Sequence, residues 1–134
     1  MLFAEYLLPL RQKIFRKQQE LTARLFRSGV SLLAGTDAPV AFCPPGFAIH
    51  QELALLVESG VTPAAALQMA TLNNARARQQ DRSLGSIEAG KLADLVILDA
   101  NPLDEIANSR KINSIIRGGK VCDKEALLKL VPPE

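Results

Sequence analysis

The sequence predicts an α/β chain: a mostly helical first part, residues 1–80, holding one buried strand at 30–35, and a β-rich second part, residues 81–134, ending in a helix. Three observations carry this. Apolar residues recur at helical spacing over residues 9–28. A nearly continuous apolar run, Val30-Ser31-Leu32-Leu33-Ala34-Gly35, follows at once. After Ser83 the pattern changes to short apolar strands separated by glycine turns.

The first helix is read from Leu10, Ile14, Leu21 and Leu25 on one stripe, widened by Phe15, Thr22 and Phe26. Pro9 suits its first turn and Gly29 the position just past its end. The run at 30–35 has the composition of a parallel strand buried on both faces, ended by Thr36-Asp37. Residues 38–47 carry Pro39, Pro44, Pro45 and Gly46 and read as a loop. A second helix is expected over about residues 48–58, with Leu53, Leu56 and Val57 inward and Gly60 as its stop. Thr62-Pro63 then reads as N-cap and first helical residue of a third helix. Thr71-Leu72-Asn73-Asn74 breaks it and starts a short fourth one.

In the second part Leu84–Ile87 reads as a strand, Glu88–Lys91 as a turn and Leu95–Leu98 as a buried strand. Ile115–Arg117 and Lys120–Cys122 read as a hairpin closed by Gly118-Gly119. Residues 126–130 read as a terminal helix.

Composition excludes several functions. Sixteen Lys+Arg against fourteen Asp+Glu leave a formal charge of +2, too even a balance for a nucleic-acid surface, and no basic cluster is interleaved with aromatics. No apolar run is long enough for a membrane span. The apolar start lacks a basic flank and is interrupted by Glu5, a poor secretion signal. Two cysteines, Cys43 and Cys122, make no disulfide framework, so a reducing, cytoplasmic setting is expected. His50 is the single histidine, and a multi-histidine metal site cannot be built from one copy. No Gly-x-x-x-x-Gly-Lys-Ser/Thr phosphate loop appears, and Gly90, Gly118 and Gly119 are turn glycines.

Longer motifs narrow the reading. Ala34-Gly35-Thr36-Asp37-Ala38 resembles the last barrel strand of the metal-dependent amidohydrolases, in particular their imidazolonepropionase-like and prolidase-like branch. His50-x-Glu52-Leu53 and Gly60-Val61-Thr62-Pro63-x-x-Ala66-Leu67-x-x-Ala70-Thr71-Leu72-Asn73 resemble the helices that follow it. The stretch from Gly85 through Gly90-Lys91-Leu92-Ala93-Asp94 to Asp99 is similar to that superfamily's small β-sandwich, and is the most specific part. The resemblance spans about residues 8–125. Asn74 stands where the family usually has proline.

The resemblance implies the C-terminal fragment of a (β/α)₈ barrel, namely helix 7, strand 8 and helix 8, plus strands of the sandwich. It implies metal-dependent hydrolysis of C–N bonds in cyclic amides or dipeptide-like substrates, with a divalent metal, zinc, as the family's cofactor. Asp37 falls on the family's metal-ligating, proton-shuttling aspartate. It is the only metal ligand that matches, an incomplete site, because the early His-x-His, the mid-barrel carboxylated lysine or glutamate and two later histidines lie upstream of anything in this chain. A zinc centre needs three or four protein ligands, so the isolated chain is expected to hold no stoichiometric metal and to be inactive alone. The alternative is a non-catalytic chain: a gene remnant, or a subunit completing a barrel with another polypeptide or with itself. A homo-oligomer is expected, with a chain supplying the N-terminal barrel as the other partner, and neither nucleic acid nor membrane.

The other candidates are weighed on their own chemistry. Asp37 without metal would cap the turn that follows it. His50 is a substrate-side candidate at a loop–helix junction, or an ordinary histidine near a helix start. Asp37, Cys43 and His50 are all ligand types and could form a private metal site, though nothing in their spacing demands one. Cys43, between prolines, has no second histidine to activate it. Glu52 is a substrate-rim or solvated-face residue, Cys122 a small apolar strand residue, and Asp94 a local hydrogen-bond acceptor.

Overall fold

The computed structural model describes residues 2–39, 43–123 and 125. Its elements run α1 (Leu2–Arg27), α2 (Phe47–Glu58), α3 (Pro63–Ala70), α4 (Leu72–Ala77), β1 (Leu95–Leu98), a 3₁₀ turn (Ile106–Arg110), β2 (Ile112–Arg117) and β3 (Lys120–Asp123). The terminal helix expected over 126–130 lies outside the described residues. Among them, no helix is long and apolar enough to cross a membrane.

Helix α1 begins seven residues earlier than Pro9 implies and carries that proline inside it. Leucine, alanine and glutamate before Pro9 are good helix formers and sustain the extra turns, while the proline removes one intrahelical donor. The expected apolar stripe also behaves differently. Leu10, Ile14, Phe15 and Leu21 are exposed, and α1 meets the rest of the protein through buried Ala23 and half-buried Phe26. The stripe stands bare because no described element packs along it.

Three helices end in the same way. Past α1, Gly29 N–H donates to Phe26 O and Val30 N–H to Leu25 O. Past α2, Gly60 N–H donates to Val57 O and Val61 N–H to Leu56 O. Past α4, Gln79 N–H donates to Arg76 O and Gln80 N–H to Ala75 O. These are paired Schellman bonds, which need a left-handed residue just past the helix. Glycine takes it twice, at φ 74° and 94°, and Gln79 takes it at φ 58° despite its side chain.

No strand forms at 30–35, contrary to expectation. The segment is extended, with Leu32 and Ala34 turned inward and Ser31, Leu33 and Gly35 exposed, so only one face is covered. It lacks a ladder because no other extended segment lies beside it. Its bonds go to helices instead. Ala34 N–H donates to Met69 O at 3.2 Å, Asn73 Nδ2 to Leu32 O at 3.0 Å and Asn74 Nδ2 to Ala34 O at 2.9 Å.

Ala34 joins Leu53 and Leu56 of α2, Val61, and Ala66 and Met69 of α3 in the core. Apolar positions on α2 and α3 face each other there, and burial of such side chains is the main force holding the helices together. Thr62 caps α3 as read from the sequence, its Oγ1 accepting the Ala65 N–H at 3.3 Å, with Pro63 in the first turn.

Leu84–Ile87 forms bends, not a strand. Gly85, at φ 94°, presses its backbone on α4: a Cβ there would lie 2.6 Å from Ala75 Cβ. Close approach of backbone to helix, rather than strand pairing, is what the glycine serves. The turn at Glu88–Lys91 forms, closed by Leu92 N–H to Ser83 O at 2.8 Å.

The strands make one antiparallel sheet in the order β1-β2-β3. Arg117 pairs with Lys120 across the Gly118-Gly119 turn, and Ile115 with Cys122, as the hairpin reading requires. Within β1, Leu95 and Leu98 are half-buried, but Val96 and Ile97 are 56% and 44% exposed. The expected two-sided burial of β1 is thus not met, since one side has no layer against it among the described residues. The 3₁₀ turn packs on α2 on one side and on β1 on the other, tying sheet to helices.

Candidate functional site

Asp37 lies where the extended segment ends. It is exposed and takes a left-handed backbone, φ 53°, which aspartate tolerates better than most residues. Its carboxylate enters none of the hydrogen bonds or ion pairs formed among the described residues. The backbone around it is held instead: Thr36 Oγ1 accepts the Ala38 N–H at 3.3 Å, and the half-buried Cys43 thiol donates to Thr36 O at 3.1 Å. Cys43 therefore fastens the loop beside Asp37.

His50 sits in the first turn of α2, half-buried, with Nδ1 3.0 Å from Ser109 Oγ of the 3₁₀ turn. The hydroxyl can donate to a neutral Nδ1 or accept from a protonated one. Burial, with the Arg110 guanidinium as the lesser cause, holds the imidazole below its ordinary pKa. Ser109, itself buried, was not legible as a partner, because fifty-nine positions separate the pair and nothing local marks it.

Glu52 is half-buried on α2, and Cys122 is half-buried in β3. Asp94 accepts at Oδ1 from the Gly118 N–H, 2.7 Å away, so it braces the β2–β3 turn rather than its own loop.

Among the described residues, no three of His, Cys, Asp or Glu are grouped to hold a metal ion. The private site of Asp37, Cys43 and His50 is therefore not gathered. The concavities along α1, around Arg76–Lys91 and between α1 and α2 are lined by none of these three residues.

A helical layer with a carboxylate at the end of an extended segment, followed by a small antiparallel sheet, is an arrangement shared with barrel hydrolases. The chain belongs to the amidohydrolase family, which residues 3–122 match. It is 31% identical over 130 residues to a 5-methylthioadenosine/S-adenosylhomocysteine deaminase of Thermoanaerobacter pseudethanolicus, covering 83% of this chain and 30% of that enzyme. It is 36% identical over 106 residues to an imidazolonepropionase of Geobacillus kaustophilus, covering 73% of this chain and 24% of that one. Among solved structures it resembles a Xaa-Pro dipeptidase with methionine bound in its active site, at TM-score 0.71 and 31% identity, covering 78% of this chain and 25% of the dipeptidase. The chain thus spans about a quarter to a third of the length of the relatives it matches.

Amidohydrolases are generally metal-dependent. The donors present do not fit such a centre by themselves: Asp37 has no companion ligands among the described residues, and zinc needs three or four.

Proposed function

We propose that the chain is the C-terminal part of an amidohydrolase barrel, with α1 as helix 7, the 30–36 segment as strand 8 and α2–α4 in the place of helix 8. Residues 81–134 belong to the family's small sheet domain. The reaction class is hydrolytic cleavage of a C–N bond. Asp37 is the residue of this chain that takes part, its carboxylate accepting a proton from the attacking water and returning one to the leaving nitrogen. The divalent metal, zinc on the resemblance, takes its remaining ligands from outside these residues. His50 stands on the substrate side of the same end.

One observation carries this reading: an exposed, unpartnered carboxylate at the C-terminal end of the extended segment, inside the matched stretch, where barrel enzymes place their chemistry. The same observation makes the chain inactive alone. It therefore acts as a subunit completing a barrel, or as a remnant of one.

The test is metal content and turnover of the purified chain, with methylthioadenosine deamination and N-acyl amino acid hydrolysis as assays. No stoichiometric zinc and no turnover are expected, with Asp37→Asn indistinguishable from the parent. Turnover abolished by Asp37→Asn would overturn the inactive reading.

A further inference from the structure

The extended segment has two edges, and they are not alike. In extended backbone the N–H and C=O of one residue point to the same edge, and those of the next residue to the opposite one. The edge of Leu32 and Ala34 is occupied: Leu32 O and Ala34 O accept Asn73 Nδ2 and Asn74 Nδ2, and Ala34 N–H donates to Met69 O. The edge of Ser31, Leu33 and Gly35 is open. None of their N–H or C=O groups bonds to a described residue, all three residues are exposed, and a Cβ built on Gly35 would have nothing within 4 Å. Unpaired groups in a row along unobstructed backbone are a template for one added strand.

We propose that this edge docks a single β-strand of a second, barrel-forming polypeptide of amidohydrolase type. The proposal rests on the barrel reading above and adds which edge is used and which is closed. The occupant follows from the coverage. In the dipeptidase and the deaminase, the matched elements belong to chains of which they make up 25% and 30%, so the remaining bulk is the body that can lie against them. It also accounts for what a lone strand would not. Val30 and Leu33 are 46% and 48% exposed, and Leu10, Ile14 and Leu21 line an open groove of about 380 Å³ along α1. A barrel wall supplies apolar side chains as well as backbone partners. The asparagine pair meanwhile closes the other edge against unwanted pairing.

The test is coexpression of this chain with the Geobacillus kaustophilus imidazolonepropionase cut before its matching quarter, followed by native mass spectrometry and amide hydrogen exchange. A one-to-one complex is expected, in which the Leu33 and Gly35 amides slow by at least about tenfold while that of Ala34, already bonded, changes little. Leu33→Pro, which deletes one open-edge donor, should weaken the complex while leaving the melting of the chain alone unchanged. A complex without slowing at Leu33 and Gly35 overturns the edge assignment and leaves the barrel reading standing. If no complex forms, or the truncated enzyme stays insoluble with and without this chain, both fail. A homodimer that protects those amides overturns the proposal in favour of a second copy.

Discussion

Asn74 donates its side-chain amide to the Ala34 carbonyl at 2.9 Å, across forty positions of sequence. With the neighbouring bond from Asn73 to Leu32 O, it holds the segment that leads to Asp37 in the absence of a strand ladder. The family's usual proline at this position could not make the bond, so the departure at Asn74 has a structural use.

Asn74→Ala should therefore destabilise the chain by about 1–2 kcal/mol, the cost of leaving a partly buried carbonyl unpaired. Asn73→Ala should act similarly. Urea unfolding of the two single variants and the double variant measures this. A loss in the double variant differing from the sum would show that the two amides work as one clamp.

Gly85 and Gly90 separate two costs that glycine substitutions usually mix. Both have positive φ, 94° and 89°, but a Cβ at Gly85 meets Ala75 Cβ at 2.6 Å and Leu72 Cα at 3.1 Å, while one at Gly90 meets nothing within 4 Å. Gly90→Ala should cost about 1–2 kcal/mol from backbone strain alone. Gly85→Ala adds the displacement of α4 and should cost at least about 1 kcal/mol more. Equal midpoints in thermal melts would argue against the clash.

Gln79 presents the reverse case. It holds the left-handed position of a Schellman ending at φ 58°, where glycine serves at the ends of α1 and α2. Gln79→Gly removes that strain at an exposed site. It should stabilise the chain by about 0.5–1 kcal/mol, net of glycine's greater freedom when unfolded, seen as a raised unfolding midpoint.

Val96→Asp should be tolerated at less than about 1 kcal/mol, because Val96 is 56% exposed. Leu53→Asp, at 4% exposure in the core, should cost several kcal/mol by burying an unpaired charge. Cooperative melting by circular dichroism distinguishes them. The contrast also shows what the sequence conveys. Leu95-Val96-Ile97-Leu98 has no polar face and reads as buried on both sides, yet burial depends on what lies opposite, which a four-residue run does not encode. The same holds for Val30–Gly35. Features set by local chemistry were legible: the Thr62-Pro63 start, the Gly29 and Gly60 stops, the Gly118-Gly119 hairpin. At the site, Asp37 was legible from its motif. The Cys43 bond to Thr36 O, the asparagine clamp and the His50–Ser109 pair were not, since each joins residues with no pattern linking them.

The His50–Ser109 pair makes stability depend on pH near neutrality. Burial first, and Arg110 second, lower the folded-state pKa of His50 below its ordinary 6.5. Below that value the unfolded chain binds a proton that the folded chain resists, so stability rises with pH across this window. The contribution is complete above pH 6.5, and is lost as pH falls from there through the lowered folded value. Because the imidazole is only half-buried, solvent screens the effect and the change should be modest. Melting temperature should therefore decline between pH 7.5 and 5.5, and His50→Gln, which keeps a hydrogen-bonding side chain without a titrating one, should flatten the decline. An equally steep decline in the variant would place the pH dependence elsewhere, on groups remote from the α2–3₁₀ contact.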